Sequence, residues 1–296
     1  MNFLTPEQEM WRATVERFVD EEIGRDYIRN CDRERKYPYE AYEKVAKQGW
    51  LGILFSEESG GLGGDIMDYA LMCEGLAKYG FDFSTGLMVA TFTAMNVEKF
   101  GTLEQKERYI QPFLNGDIRF SISISEPGAG SDAASTKTRA RRDGNGWVVN
   151  GQKLWCSGAA ADNAILAMLT RTDPDAPKHK GLSVFLIPND TEGLDIRKLP
   201  TMARRATGTT EIFVDDVKLP ADALLGTEND GWKIITDHLE LERVAVAAAY
   251  VGNAQTAVDD ALRYAHERIQ FDKPIFDFQV IRHMLAVEAA VRAYAR

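Results

Sequence analysis

The hydrophobic period changes twice along this chain, and no other feature limits its architecture as much. Up to about Gly116 apolar residues recur at helical spacing, most clearly over Ile66 to Tyr79 and Gly86 to Phe100. From Arg119 they fall into short alternating runs broken by turn residues, a pattern that lasts to about Pro220. Helical spacing returns at Gly231. These switches predict an α+β multi-domain chain: an N-terminal α-helical domain over residues 1–117, a middle β-barrel or sandwich over 118–228, and a C-terminal helical-bundle domain over 229–296.

Local signals refine this outline. Thr5-Pro6-Glu7-Gln8 and Thr102-Leu103-Glu104-Gln105 both read as capping boxes, with a threonine hydroxyl and a glutamine side chain closing a helix start. Gly60-Gly61-Leu62-Gly63-Gly64 forms a loop ahead of the helix at Ile66. Asp143-Gly144-Asn145-Gly146 and Asn150-Gly151 mark two successive hairpins, and Ala164 to Thr170, Leu182 to Pro188 and Glu211 to Val217 read as strands. A long helix runs from Gly231 to about Arg268, Phe271-Asp272-Lys273-Pro274 breaks it, and a last helix reaches the C-terminus. Two long helices cannot cover each other's apolar faces as a four-helix bundle does. Cover is therefore expected from another subunit or from further sequence, and the bundle reads as incomplete.

Composition removes several function classes. No apolar run approaches the roughly 20 residues of a membrane-spanning helix, and the N-terminus lacks a basic start followed by a hydrophobic stretch, so a cytoplasmic location without membrane insertion is expected. Cys31, Cys73 and Cys156 are too few and too scattered for a disulfide framework or a zinc site. His179, His238, His266 and His283 show no metal-binding spacing, and no metal is expected. A net charge of -10 argues against nucleic acid as a partner. Basic stretches at Lys137 to Arg142 and Arg204-Arg205 suit either a solvated strand face or one anionic ligand.

Gly128-Ala129-Gly130-Ser131-Asp132-Ala133 fits the dinucleotide fingerprint, but Ser135 to Arg142 alternates like a strand instead of opening a helix, so a Rossmann site is rejected. A Gly- and Ser-rich turn still lets backbone N–H groups approach a phosphate or a flavin edge. The wider string Ser123-Ile124-Ser125-Glu126-Pro127-Gly128-Ala129-Gly130-Ser131-Asp132 resembles the signature of the acyl-CoA dehydrogenases. Further segments resemble that family in the same order. They are Phe55 to Gly63, Gly101 to Lys106, Asn150-Gly151-Gln152-Lys153-Leu154-Trp155-Cys156-Ser157, Phe213 to Pro220, Glu242-Arg243 and Glu267 to Asp272.

The resemblance implies an FAD-dependent α,β-dehydrogenation of an acyl-CoA thioester within β-oxidation, with electrons passed to an electron-transfer flavoprotein. It places Ile122, Ser123, Ser125, Gly130 and Ser131 beside the cofactor, Trp155 and Cys156 against the flavin, and the Ser157 hydroxyl on flavin N5. Read without it, Trp155 suits a core, Cys156 a small hydrophobe and Ser157 a turn. Arg268, Phe271 and Gln279 are implied to reach the FAD of a second subunit, which makes a homo-oligomer the expected assembly. Asp272 stands where the family usually has Gly. Ser131, Glu240 and Arg243 are implied substrate contacts.

α-Proton removal needs a base of raised pKa. Most relatives of this kind carry a glutamate between the last helices, and the chain reads as stopping short of that point. A minority place it on the long helix directly before an arginine, where Glu242 stands before Arg243, so Glu242 is the candidate base and a solvated helix residue the plain alternative. An acyl-CoA oxidase, an enoyl-CoA-type reductase, a flavin monooxygenase or a non-catalytic fragment would carry similar segments.

Overall fold

The computed structural model describes residues 4–295. Six α-helices come first: α1 (Pro6–Phe18), α2 (Arg25–Glu34), α3 (Tyr39–Lys47), α4 (Ile66–Leu76), α5 (Phe81–Phe100) and α6 (Leu103–Leu114). Both threonine capping boxes form as expected, with the Thr5 and Thr102 hydroxyls each accepting the N–H three residues on. A third box at Asp65, closed by Asp68, starts α4. Helix α5 begins five residues before the expected Gly86, and nearly all of its faces are buried, including Leu87, Met88, Phe92 and Val97. It is the central rod of the helical layer.

The β region contains β1 (Arg119–Ser123), β2 (Arg139–Asp143), β3 (Gly146–Ser157), β4 (Ala164–Arg171), β5 (Leu182–Pro188), β6 (Leu194–Lys198), β7 (Thr209–Leu219) and β8 (Leu224–Leu225). Seven strands pair in the order β6-β7-β3-β2-β4-β5-β8, and β1 lies parallel to β4. The expected middle β domain forms as one eight-stranded sheet, with no closed barrel among the described residues. The turn at Asp143 to Gly146 joins β2 to β3 as a hairpin. Asn150-Gly151 does not turn the chain. It makes a β-bulge inside β3, because Gly151 at φ 152 lies so close to Thr138 that a Cβ there would meet the Thr138 backbone at 2.6 Å.

Helix α7 (Gly231–Glu267) spans 37 residues, about 55 Å at the helical rise. Its first residue lies against β5, where a Cβ on Gly231 would sit 2.7 Å from Ser183 Cα. Midway it crosses α4 so closely that a Cβ on Gly252 would fall 1.9 Å from the Glu74 carbonyl. Beyond it, β9 (Ile269–Gln270) and β10 (Lys273–Pro274) form a small hairpin that leads into α8 (Gln279–Ala295). One apolar cluster joins the layers: Phe92, Val97, Phe120, Leu169, Leu186 and Ile235 belong to it, and Ile122, Ile124 and Leu241 pack against it. No described helix is long and apolar enough to cross a membrane.

Candidate active site

Two segments of the sheet domain come together edge to edge. The strand end at Ser123 continues into the loop Ile124 to Asp132, and the second half of β3 lies beside it, with Leu154 N donating to Ser125 O at 2.8 Å. A buried ion pair fastens them. Lys153 is fully buried and its Nζ donates to Glu126 Oε1 at 2.9 Å and to Ile124 O at 3.0 Å. Glu126 also accepts from Thr138 N at 2.9 Å and Lys137 N at 2.8 Å. Burial pushes the Glu126 carboxyl up, but the Lys153 charge and these hydrogen bonds outweigh it and leave it below its ordinary value. Burial lowers the Lys153 ammonium against the pull of Glu126.

That clasp holds a second bulge in β3, between Leu154 and Cys156, at which Trp155 takes φ 64. A left-handed conformation is uncommon for a bulky residue and persists only where the surroundings impose it. Its effect is to turn the indole outward: Trp155 is 59% exposed, which rules out the core reading. Around it, Ser125 and Ile122 are half-buried, Gly130 and Ser131 are exposed, and Cys156 and Ser157 are buried. Burial pushes the Cys156 thiol up to about 11, so it packs as a neutral hydrophobe. Ser123 Oγ is buried without a hydrogen-bond partner, and a Cβ on Gly128 or Gly130 would meet nothing within 4 Å. An outward aromatic face, an orphaned hydroxyl and an open glycine loop fit a planar, polar-edged cofactor such as a flavin.

Glu242 lies near the start of α7, half-buried. Burial raises its pKa above 4.5, while the charges of Arg204 and Arg243 pull the other way. A carboxyl so placed is a stronger proton acceptor than one in water. Arg243 and Glu240 on the same helix are exposed. Sequence reasoning overlooked Arg204 as a neighbour of Glu242 and gave Lys153 and Glu126 no role. The doubled arginine at 204–205 was the signal for the first, and the sequence around Lys153, Asn150-Gly151-Gln152, carried none for the second.

The remaining expected cofactor residues are not brought to this place. Arg268 is exposed beyond the end of α7, Phe271 is 86% exposed at the hairpin tip, and Gln279 opens α8. From Glu242 to Arg268 is about 40 Å along the helix axis. Within one chain they form a separate cluster.

Three family models match consecutive stretches: the N-terminal domain of acyl-CoA dehydrogenase over residues 5–117, the middle domain over 121–217 and the C-terminal domain over 229–296. The chain belongs to the acyl-CoA dehydrogenase family. Among relatives of this acyl-CoA dehydrogenase homologue, the probable acyl-CoA dehydrogenase YngJ of Bacillus subtilis (strain 168) is 38% identical over 292 residues, 97% of this chain and 76% of the relative. Butyryl-CoA dehydrogenase from Megasphaera elsdenii superposes with a TM-score of 0.91 at 30% identity, over 99% of this chain and 78% of that one. The FAD complex of PigA superposes with a TM-score of 0.90 at 26% identity, over 99% and 77%. The family is flavin-dependent.

Proposed function

We propose that this chain binds FAD between the Ser123–Ser131 loop and the Trp155–Ser157 segment and oxidises an acyl-CoA thioester at its α,β carbons. Ile122, Ser123, Ser125, Gly130, Ser131, Trp155, Cys156 and Ser157 would hold the cofactor, which when bound supplies the hydride acceptor. Glu242 takes the α-proton onto its carboxylate. Exposed Arg243 and Ser131, with Glu240 nearby, meet the CoA portion. The observation that carries the reading is Glu242 itself, a desolvated carboxyl of raised pKa on α7 within electrostatic reach of two arginines.

Electrons then leave to an electron-transfer flavoprotein in the cytoplasm, and Arg268, Phe271 and Gln279 serve the FAD of a second copy in a homo-oligomer. The test is an anaerobic visible spectrum before and after adding straight and branched acyl-CoA thioesters. The flavin band bleaches in the wild type and persists, with FAD still bound, in Glu242→Gln. Equal bleaching in the variant removes Glu242 as the base, and failure to take up FAD removes the whole reading.

A further inference from the structure

The loop that carries Gly128, Gly130 and Ser131 is fixed at its near end by the Glu126–Lys153 pair. Its tip is open, since a Cβ on Gly128 or Gly130 would meet nothing within 4 Å. At the far end stands Arg171, the last residue of β4. Its Nη2 donates to Ala134 O at 2.6 Å, in the short helical turn Ala133–Ser135 that closes the loop. The same guanidinium holds two carbonyls of the next connection, with Nη1 donating to Lys180 O at 2.6 Å and Nη2 to Lys178 O at 3.1 Å. Asp173 is near enough to feel the charge, yet these donors go to main-chain oxygens. A planar fork of donors suits that task, because it can grip two segments at once in a set orientation.

The connection at residues 172–181 forms a strap with a closed base. Thr172 N and Asp173 N both donate to Gly181 O, at 2.9 and 3.1 Å. Gly181 takes φ 67, and a Cβ there would meet Asp173 O at 2.4 Å, so the base closes this tightly only around glycine. One side of the strap leans on the Ser131 loop. Lys178 Nζ meets Asp132 Oδ2 at 2.5 Å, and that oxygen also accepts from Ser135 Oγ at 2.7 Å. The other side leans on α7, where His179 packs edge-on against Trp232 with ring centroids 4.8 Å apart. Trp232 precedes Glu242 by ten residues, about 15 Å of helix. Through one strap, Arg171 therefore connects the loop of Ser131 to the helix of Glu242 and Arg243.

We propose that Arg171 is a positioning residue for the thioester: its guanidinium latches the far end of the Ser131 loop to the strap, and so fixes the spacing at which Ser131 and Arg243 meet the CoA portion. The inference rests on the acyl-CoA reading above and adds the residue that sets this spacing. Hydrogen bonds from a guanidinium to carbonyls are charge-assisted and hold better than neutral ones. Without them the loop keeps its anchor at Glu126 but loses the one at Ala134. Binding must then order the loop, and that cost falls on affinity and not on the chemical step.

The test is anaerobic stopped-flow reduction of the FAD-loaded protein by butyryl-, isovaleryl- and octanoyl-CoA. For whichever of these bleaches the wild type, Arg171→Met raises the half-saturating concentration about tenfold and keeps the limiting rate within about twofold. Arg171→Lys, which offers one ammonium in place of the fork, falls between the two. An unchanged half-saturating concentration, or a loss confined to the limiting rate, overturns the latch and leaves the acyl-CoA reading standing. A variant that loses FAD places the role at the cofactor and also overturns it. Bleaching of the wild type by none of the three overturns both. A second readout needs neither FAD nor thioester: amide hydrogen exchange at residues 128–135 and 172–181 quickens in Arg171→Met, while β3 and β7 are unchanged. Faster exchange throughout the sheet assigns Arg171 to general stability and overturns the proposal.

Discussion

Burial pushes both Glu242 and Lys153 toward their neutral forms, the first against the charges of Arg204 and Arg243 and the second against that of Glu126. Because the Glu242 pKa is raised, the fraction of the carboxylate form grows with pH through a midpoint above 4.5. The rate of flavin bleaching should rise with pH through that midpoint, and a rate that does not fall on its acid side would argue against it, as read by stopped-flow absorbance. Glu126 runs the other way. Its pKa is lowered in the folded chain, so it adds stability above 4.5, and this is lost as pH falls through the lowered value. Lys153→Met leaves Glu126 buried and unpaired, which should cost about 3 to 5 kcal/mol in denaturant unfolding, and adding Glu126→Gln should recover most of it. Neither residue's role was legible in the sequence. A lysine between Gln152 and Leu154 looks like a solvated strand position until the bulges in β3 turn it inward.

At the scale of elements, what was readable was local and what was hidden was long-range. The threonine capping boxes and the Asp143–Gly146 turn were legible because a few neighbouring residues decide them. The Asp65 box was missed because its closing residue is Asp68 in place of the usual Glu or Gln. Asn150-Gly151 misled because the same dipeptide serves a turn or a bulge, and only the approach of Thr138 and β7 chooses between them. The parallel pairing of β1 with β4 leaves no local trace at all. Two element-level predictions follow from close contacts. Gly252→Ala forces α7 away from α4 and should cost about 2 to 4 kcal/mol in thermal or chemical unfolding. At the hairpin tip Phe271 and Asp272 hold φ 54 and φ 60, the geometry in which Gly is favoured. Asp272→Gly should therefore raise stability by about 0.5 to 1 kcal/mol, and a lower melting temperature would show that Asp272 is held by contacts of its own.

At the scale of the molecule, the three-part order of helices, sheet and helices was legible from hydrophobic period alone, while the order in which the strands pair was not. The C-terminal helices present an apolar stripe at i, i+4, i+7 and i+11, formed by Val280, Met284, Val287 and Val291, each about three-fifths exposed. Such a stripe seeks cover. Light scattering should give a mass above the 33.1 kDa of one chain, and Met284→Lys with Val287→Glu should lower it. Helix α7 ties the two ends of the molecule together, seated on β5 at Gly231 and carrying the Phe271 hairpin at its far end. A rod of about 55 Å converts each degree of tilt into about 1 Å of travel at its tip. The angle set where Gly231 meets Ser183 is thus the aiming mechanism of the hairpin, and a single methyl group added at that seat would throw the far end off target by several ångströms without touching it.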